Sequence, residues 1–162
     1  MWRFVFCLLV LVSAAFGASP EYRSMGADIF DSKIPGEQLV ATAITQAQSG
    51  NKRVLLLFGA NWCPWCRRLH AALTKDAAIQ ARLKERFVLV FVDANTRSDK
   101  NRNARLLEHY GNPTLEFGLP VFVILDRDGK QLGTRETASL AADTDAKVVE
   151  RILGFLKEAA KE

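Results

Sequence analysis

Apolar residues Leu39, Val40, Ala43, Ile44 and Ala47 recur at three- and four-residue spacing through EQLVATAITQAQSGNK. That stripe predicts an amphipathic helix, preceded by Pro35-Gly36 and ended by Ser49-Gly50-Asn51. The pattern then changes. RVLLLFG is a continuous apolar run between a turn and a glycine, which suits a strand covered on both faces, and FVLVFVDA reads the same way. Between them, CRRLHAALTKDAAIQARLKERF has helical patterning with a break near Thr74-Lys75-Asp76. SDKNRNARLLEHYG predicts a polar loop and then a short helix ending at Gly111. LPVFVILDRDGKQLGT predicts a hairpin: a strand from Val121 to Leu125, a turn around Asp126-Arg127-Asp128-Gly129, and a return over Gln131 to Thr134. The closing DAKVVERILGFLKEAAKE carries Val148, Ile152, Phe155 and Leu156 on one helical stripe. The order helix, strand, helix, strand, helix, strand, strand, helix predicts an α/β domain, a mixed sheet flanked by helices, over residues 36–162. Residues 19–35 mix Ser, Pro, Gly and polar side chains and predict an irregular lead-in.

The first eighteen residues, MWRFVFCLLVLVSAAFGA, have another layout. Arg3 stands near the start, an apolar run follows from Phe4 to Val12, and small residues close the segment. This is the plan of a secretory signal peptide, with cleavage expected near Gly17 or Ala18. The apolar core is short for a membrane span, which needs roughly twenty residues, so no span is expected in the mature chain; an uncleaved N-terminal anchor is the alternative. At 162 residues, 49% of them apolar, the chain suffices for one well-buried domain. Loss of Arg3 would take the formal charge from +4 to +3, and the charges are interspersed. That is an ordinary solvated surface, and no nucleic-acid partner is expected.

Removal of the leader also discards Cys7, leaving Cys63 and Cys66 in ANWCPWCRR. The expected compartment is therefore periplasmic or secreted, where disulfides persist. A disulfide across so short a loop removes little chain entropy, so it is a poor staple. Cys63 follows a predicted strand, and a helix begins within the motif with Pro64 in its first turn. A thiol there faces free backbone N–H groups and the positive end of the helix dipole, which favour thiolate. Arg67 and Arg68 are expected to add positive charge, making Cys63 an electropositive, partly exposed thiol. Cys66, one turn along, can attack a mixed disulfide formed at Cys63. Trp62 and Trp65 bracket the pair with apolar surface, suited to packing or to substrate contact. Structural zinc needs four ligands. The chain has no second cysteine pair, and His70 and His109 are far apart in sequence. Haem attachment needs histidine after the second cysteine, where Arg67 stands.

With these motifs the chain resembles the thioredoxin superfamily, in particular secreted or periplasmic thioredoxin-like proteins with a Cys-Pro-Trp-Cys site. VLLLFGANWCPWC is similar to the family's central strand leading into its redox helix. FGLPVFVILDRDGK is similar to the segment holding its cis-proline and the following hairpin. The resemblance covers nearly all of residues 36–162 and implies a thioredoxin-like fold. It also implies Cys63 as nucleophile, Cys66 as resolving thiol, a reversible Cys63–Cys66 disulfide, and Pro120 as the cis-proline facing it. Leu119 would offer backbone groups to an extended substrate, beside Trp62, Pro64 and Trp65. Two departures stand out: Leu57 occupies the place of the buried aspartate of thioredoxin, and VLVFV offers no counterpart of its accompanying lysine.

The expected activity is extracytoplasmic thiol–disulfide exchange with protein thiols and disulfides, recharged by a redox partner, with no cofactor. Because oxidation is the default of that compartment, a reductase or isomerase role is favoured over an oxidase. The alternative is a thioredoxin-like binding module that holds a soft metal such as Cu(I) between the two thiolates. The loop from Thr96 to Gly118 is a further candidate for setting specificity.

Overall fold

The computed structural model describes residues 24–94 and 99–161. The leader and part of the Thr96–Gly118 loop lie outside the described residues. Strand β1 (Arg53–Gly59) is central, with all but Arg53 buried. It pairs in parallel with β2 (Phe87–Asp93) and antiparallel with β3 (Val121–Leu125), and β3 pairs antiparallel with β4 (Gln131–Glu136). The resulting mixed sheet has the order β2-β1-β3-β4.

Alternation along β1 explains its unbroken apolar run, because both faces are covered. Leu55 and Leu57 join Phe122 in a core beneath helices α2 (Pro64–Lys75), α3 (Ala77–Arg86) and α6 (Asp145–Ala159). Val54, Leu56 and Phe58 pack with Val121 and Val123 against α1 (Gly36–Gly50) and α4 (Ala104–His109). The break expected near Thr74-Lys75-Asp76 separates α2 from α3. Asp76 accepts the N–H groups of Ala78 and Ile79, each at 3.0 Å, and so caps α3.

Three features differ from the sequence expectation. A one-turn helix, α5 (Pro113–Phe117), follows α4, started by Pro113 and ended at Gly118, whose φ is +73°. Strand β4 runs on to Glu136, and a 3-10 turn follows over Ala138–Leu140. The described part of the lead-in, residues 24–35, has little regular structure, yet it supplies Phe30, fully buried, to the α2–α6 side of the core. Gly59 makes room for that ring: a Cβ there would lie 2.2 Å from Phe30 Cζ. Among the described residues no helix is long and apolar enough to cross a membrane.

Candidate active site

Strand β1 ends at Gly59, and the chain turns through Ala60, Asn61 and Trp62 to reach α2. Cys63 is the N-cap of that helix, in extended conformation, and Pro64 takes the first helical position. The Cys63 sulfur accepts the Cys66 N–H at 3.2 Å, the role an N-cap hydroxyl or carboxylate usually fills. Both cysteines are free thiols.

The two sulfurs are driven apart in acidity. The Cys66 thiol donates to the Cys63 sulfur, and this is the largest cause of a Cys63 pKa lowered to about 7. Burial opposes the shift, while the backbone N–H groups of Cys66 and Trp65 support it. For Cys66 the same hydrogen bond raises the pKa, and burial raises it further. Cys66 is fully buried among apolar neighbours that include Phe30, Leu57, Leu69 and Phe122. Leu57, in the place where the resemblance would set an acid, is itself fully buried in this cluster.

Cys63 is more enclosed than the sequence suggests, at 6% exposure. The cover comes from the loop before β3. The Leu119–Pro120 peptide is cis, and the Leu119 carbonyl lies 3.9 Å from the Cys63 sulfur. The arginines also differ from expectation. Arg67 donates from Nε to the Asn61 carbonyl at 2.8 Å and from a terminal nitrogen to the Ala27 carbonyl at 2.9 Å. Arg68 binds Asp145 at 2.9 Å and lies over the Trp65 ring. Both cations serve as ties between segments. The shift at Cys63 comes instead from the helix N-terminus and its neighbouring thiol.

The two tryptophans are half-buried against the core cluster. Trp65 is also anchored by a hydrogen bond, donating from Nε1 to Thr137 Oγ1 at 3.1 Å. Pro64 is exposed and Leu119 half-buried, so the rim of the pair combines Trp62, Pro64, Trp65 and Leu119. The His70 ring packs on Phe91, centroids 4.6 Å apart. Among the described residues no three His, Cys, Asp or Glu side chains converge as a metal site.

Two residues of this region carry no periodic or motif signal in the sequence. Asn61, 1% exposed, accepts the N–H groups of Ile29 and Phe30 and donates to the Phe30 carbonyl. Thr137, 3% exposed, lies just past β4, beyond the end of the predicted hairpin. A polar residue in a turn and a threonine after a strand are each common. Only the fold reveals that both are buried and hydrogen-bonded to distant segments.

A family model described as "Thioredoxin-like domain" matches residues 40–157. The chain is 26% identical over 144 residues to the thiol:disulfide interchange protein DsbD of Ralstonia nicotianae, covering 89% of this chain and 22% of that protein. It thus spans less than a quarter of the length of the curated relatives it matches. Among solved structures, the disulphide isomerase from Xylella fastidiosa Temecula1 superposes with a TM-score of 0.66 at 26% identity. That match covers 79% of this chain and 96% of that one. The oxidised C-terminal domain of Neisseria meningitidis DsbD, at 24% identity and a TM-score of 0.50, shares the fold; the match covers 83% of this chain and all of that domain.

Proposed function

We propose, from the premise that this chain belongs to the family of thioredoxin-like domains, that it is an extracytoplasmic thiol–disulfide oxidoreductase acting on protein disulfides. The observation that carries this reading is the pair of free thiols at the start of α2, where the Cys63 sulfur accepts the Cys66 N–H at 3.2 Å and lies 3.9 Å from the Leu119 carbonyl before the cis Pro120. The Cys63 pKa lowered to about 7 and the raised Cys66 pKa agree with it. At neutral pH a large share of Cys63 is thiolate, while Cys66 holds its proton until it is needed.

The Cys63 thiolate attacks one sulfur of a substrate disulfide. The substrate S–S bond breaks, one sulfur leaves as thiolate, and a mixed disulfide forms on Cys63. The backbone of Leu119, beside the sulfur, is the edge along which an extended substrate segment lies. Cys66 then loses its proton and attacks the Cys63 sulfur. The second substrate sulfur leaves as thiolate, and a Cys63–Cys66 disulfide remains. Two electrons have passed to the substrate, and a reduced dithiol partner must return them.

The favoured direction is reduction or isomerisation. The Xylella fastidiosa protein carries the name disulphide isomerase, and the burial and raised pKa of Cys66 disfavour its thiolate, which prolongs the mixed disulfide. The leader-like layout of the first eighteen residues supports a periplasmic or secreted location.

Replacing Cys66 with Ser tests the scheme. Mixed disulfides through Cys63 are expected to accumulate on non-reducing gels, and wild-type protein is expected to reduce insulin. Absence of both would overturn the proposal.

A further inference from the structure

The ladder between β3 and β4 ends at Val121 opposite Glu136. The next residues outward are Pro120 and Thr137. Proline has no N–H to continue the ladder, and its buried carbonyl still needs a donor. The Thr137 hydroxyl supplies it, donating to the Pro120 carbonyl at 2.7 Å. A hydroxyl has one proton, so its lone pairs are then free to accept. Trp65 Nε1–H fills one of them at 3.1 Å. One buried side chain therefore joins the cis-proline segment to Trp65, one of the two residues between the cysteines.

Resting on the oxidoreductase reading above, we propose that Thr137 is a positioning residue. It fixes the Leu119–Pro120 segment against the redox helix and so sets how polypeptide substrates dock. The geometry gives this a specific consequence. The Leu119 carbonyl is 3.9 Å from the Cys63 sulfur. A polypeptide lying along Leu119 must present its disulfide at that spacing, so a loosened loop misaligns it. Glutathione disulfide is short and flexible, so it can adjust its own approach to the sulfur without an extended segment along Leu119. Thr137 acts on the extended substrate class through Pro120 and touches neither reacting sulfur.

The test compares wild type, Thr137→Val and Thr137→Ser in insulin reduction and in exchange with glutathione disulfide. The valine variant keeps the shape and loses both hydrogen bonds; the serine variant keeps the hydroxyl. Thr137→Val is expected to lower kcat/KM for insulin about tenfold or more, chiefly through KM, with glutathione exchange within about twofold of wild type. Thr137→Ser is expected to restore insulin reduction. The Trp65 indole N–H should lose its protection from hydrogen exchange in the valine variant and keep it in the serine variant. An equal fall on both substrates, no fall on either, or failure of serine to rescue would overturn the inference. If Thr137→Val does not fold by circular dichroism, Thr137→Ala carries the same readouts. Failure of both to fold would assign the hydroxyl a purely structural part and overturn the inference. A wild-type protein inactive on both substrates would instead overturn the oxidoreductase reading and this inference with it.

Discussion

Asn61 and Phe30 are joined by two hydrogen bonds: the Phe30 N–H to Asn61 Oδ1 and Asn61 Nδ2–H to the Phe30 carbonyl, each at 2.9 Å. The same Oδ1 accepts the Ile29 N–H at 2.8 Å. One side chain thereby straps the lead-in beside the turn that carries Cys63. Asn61→Ala leaves these backbone groups unpaired, at a cost of about 1–3 kcal/mol for each that stays buried. The expected result is a loss of roughly 3 kcal/mol, read as a lower urea midpoint. An unchanged midpoint would mean that the strap adds nothing to stability.

Gly59 supports the same junction from the sheet. A methyl at this position would meet three atoms of the Phe30 ring between 2.2 and 3.0 Å. Phe30 is fully buried and cannot simply swing aside. Gly59→Ala is therefore expected to destabilise by about 1–3 kcal/mol, the usual cost of overpacking. Gly59→Ala combined with Phe30→Leu should recover part of that loss. Thermal melts of Gly59→Ala, Phe30→Leu and the double variant check it; no recovery in the double variant would show that the strain lies elsewhere.

The periodic elements were legible because burial imposes periodicity. The stripe of α1 and the continuous runs of β1 and β2 each reflect a face that must meet the core. The motif order around Cys63 and Pro120 was legible because a thiol at a strand-to-helix turn is chemically distinctive. Phe30, Asn61 and Thr137 were not. Each acts through long-range partners, and a contact between Asn61 and Phe30 leaves no local pattern. The ties made by Arg67 and Arg68 are hidden for a related reason. Their charge is visible in sequence, whereas their partners Ala27 and Asp145 are distant along the chain.

The acidity of Cys63 should be readable in alkylation kinetics. The iodoacetamide rate of the reduced protein is expected to rise with pH through a midpoint near 7. Removing the Cys66 donor by Cys66→Ala should move that midpoint upward, because the Cys66 thiol is the largest cause of the shift. Stability follows by linkage. An unfolded thiol ionises near 8.5. The depressed Cys63 pKa therefore adds stability that is complete above about pH 8.5 and is lost as pH falls through about 7. The raised Cys66 pKa works the other way: its contribution is complete below about 8.5 and is lost as pH rises beyond it. The reduced protein should then be most stable close to pH 8.5, roughly where the two trends meet. Urea midpoints measured across pH 6–10 check this, and a monotonic profile would contradict it.

Leu57 stands fully buried in the apolar cluster that also holds Cys66, which bears on the proposed second exchange step. Cys66 must lose a proton before it attacks, and its surroundings are apolar, with Leu57 among them. A carboxyl at this position would be buried too, and burial raises its pKa toward neutrality. That makes it a proton acceptor matched to the working pH, and a positioned base is worth on the order of 10²-fold or more. Leu57→Asp is accordingly expected to speed release of the second thiol from a preformed mixed disulfide by about tenfold or more. The change costs stability, on the order of 3–5 kcal/mol once the carboxyl ionises without a partner. Because the folded pKa of that Asp is raised, the variant should be steadiest below about pH 4 and lose stability as pH rises through the folded value. Leu57→Asn separates proton transfer from mere polarity, since it buries a similar group that cannot titrate. Single-turnover release followed against pH should show acceleration for Asp and none for Asn. Equal acceleration by both would mean that Leu57 limits resolution by packing against Cys66, and not by denying it a base.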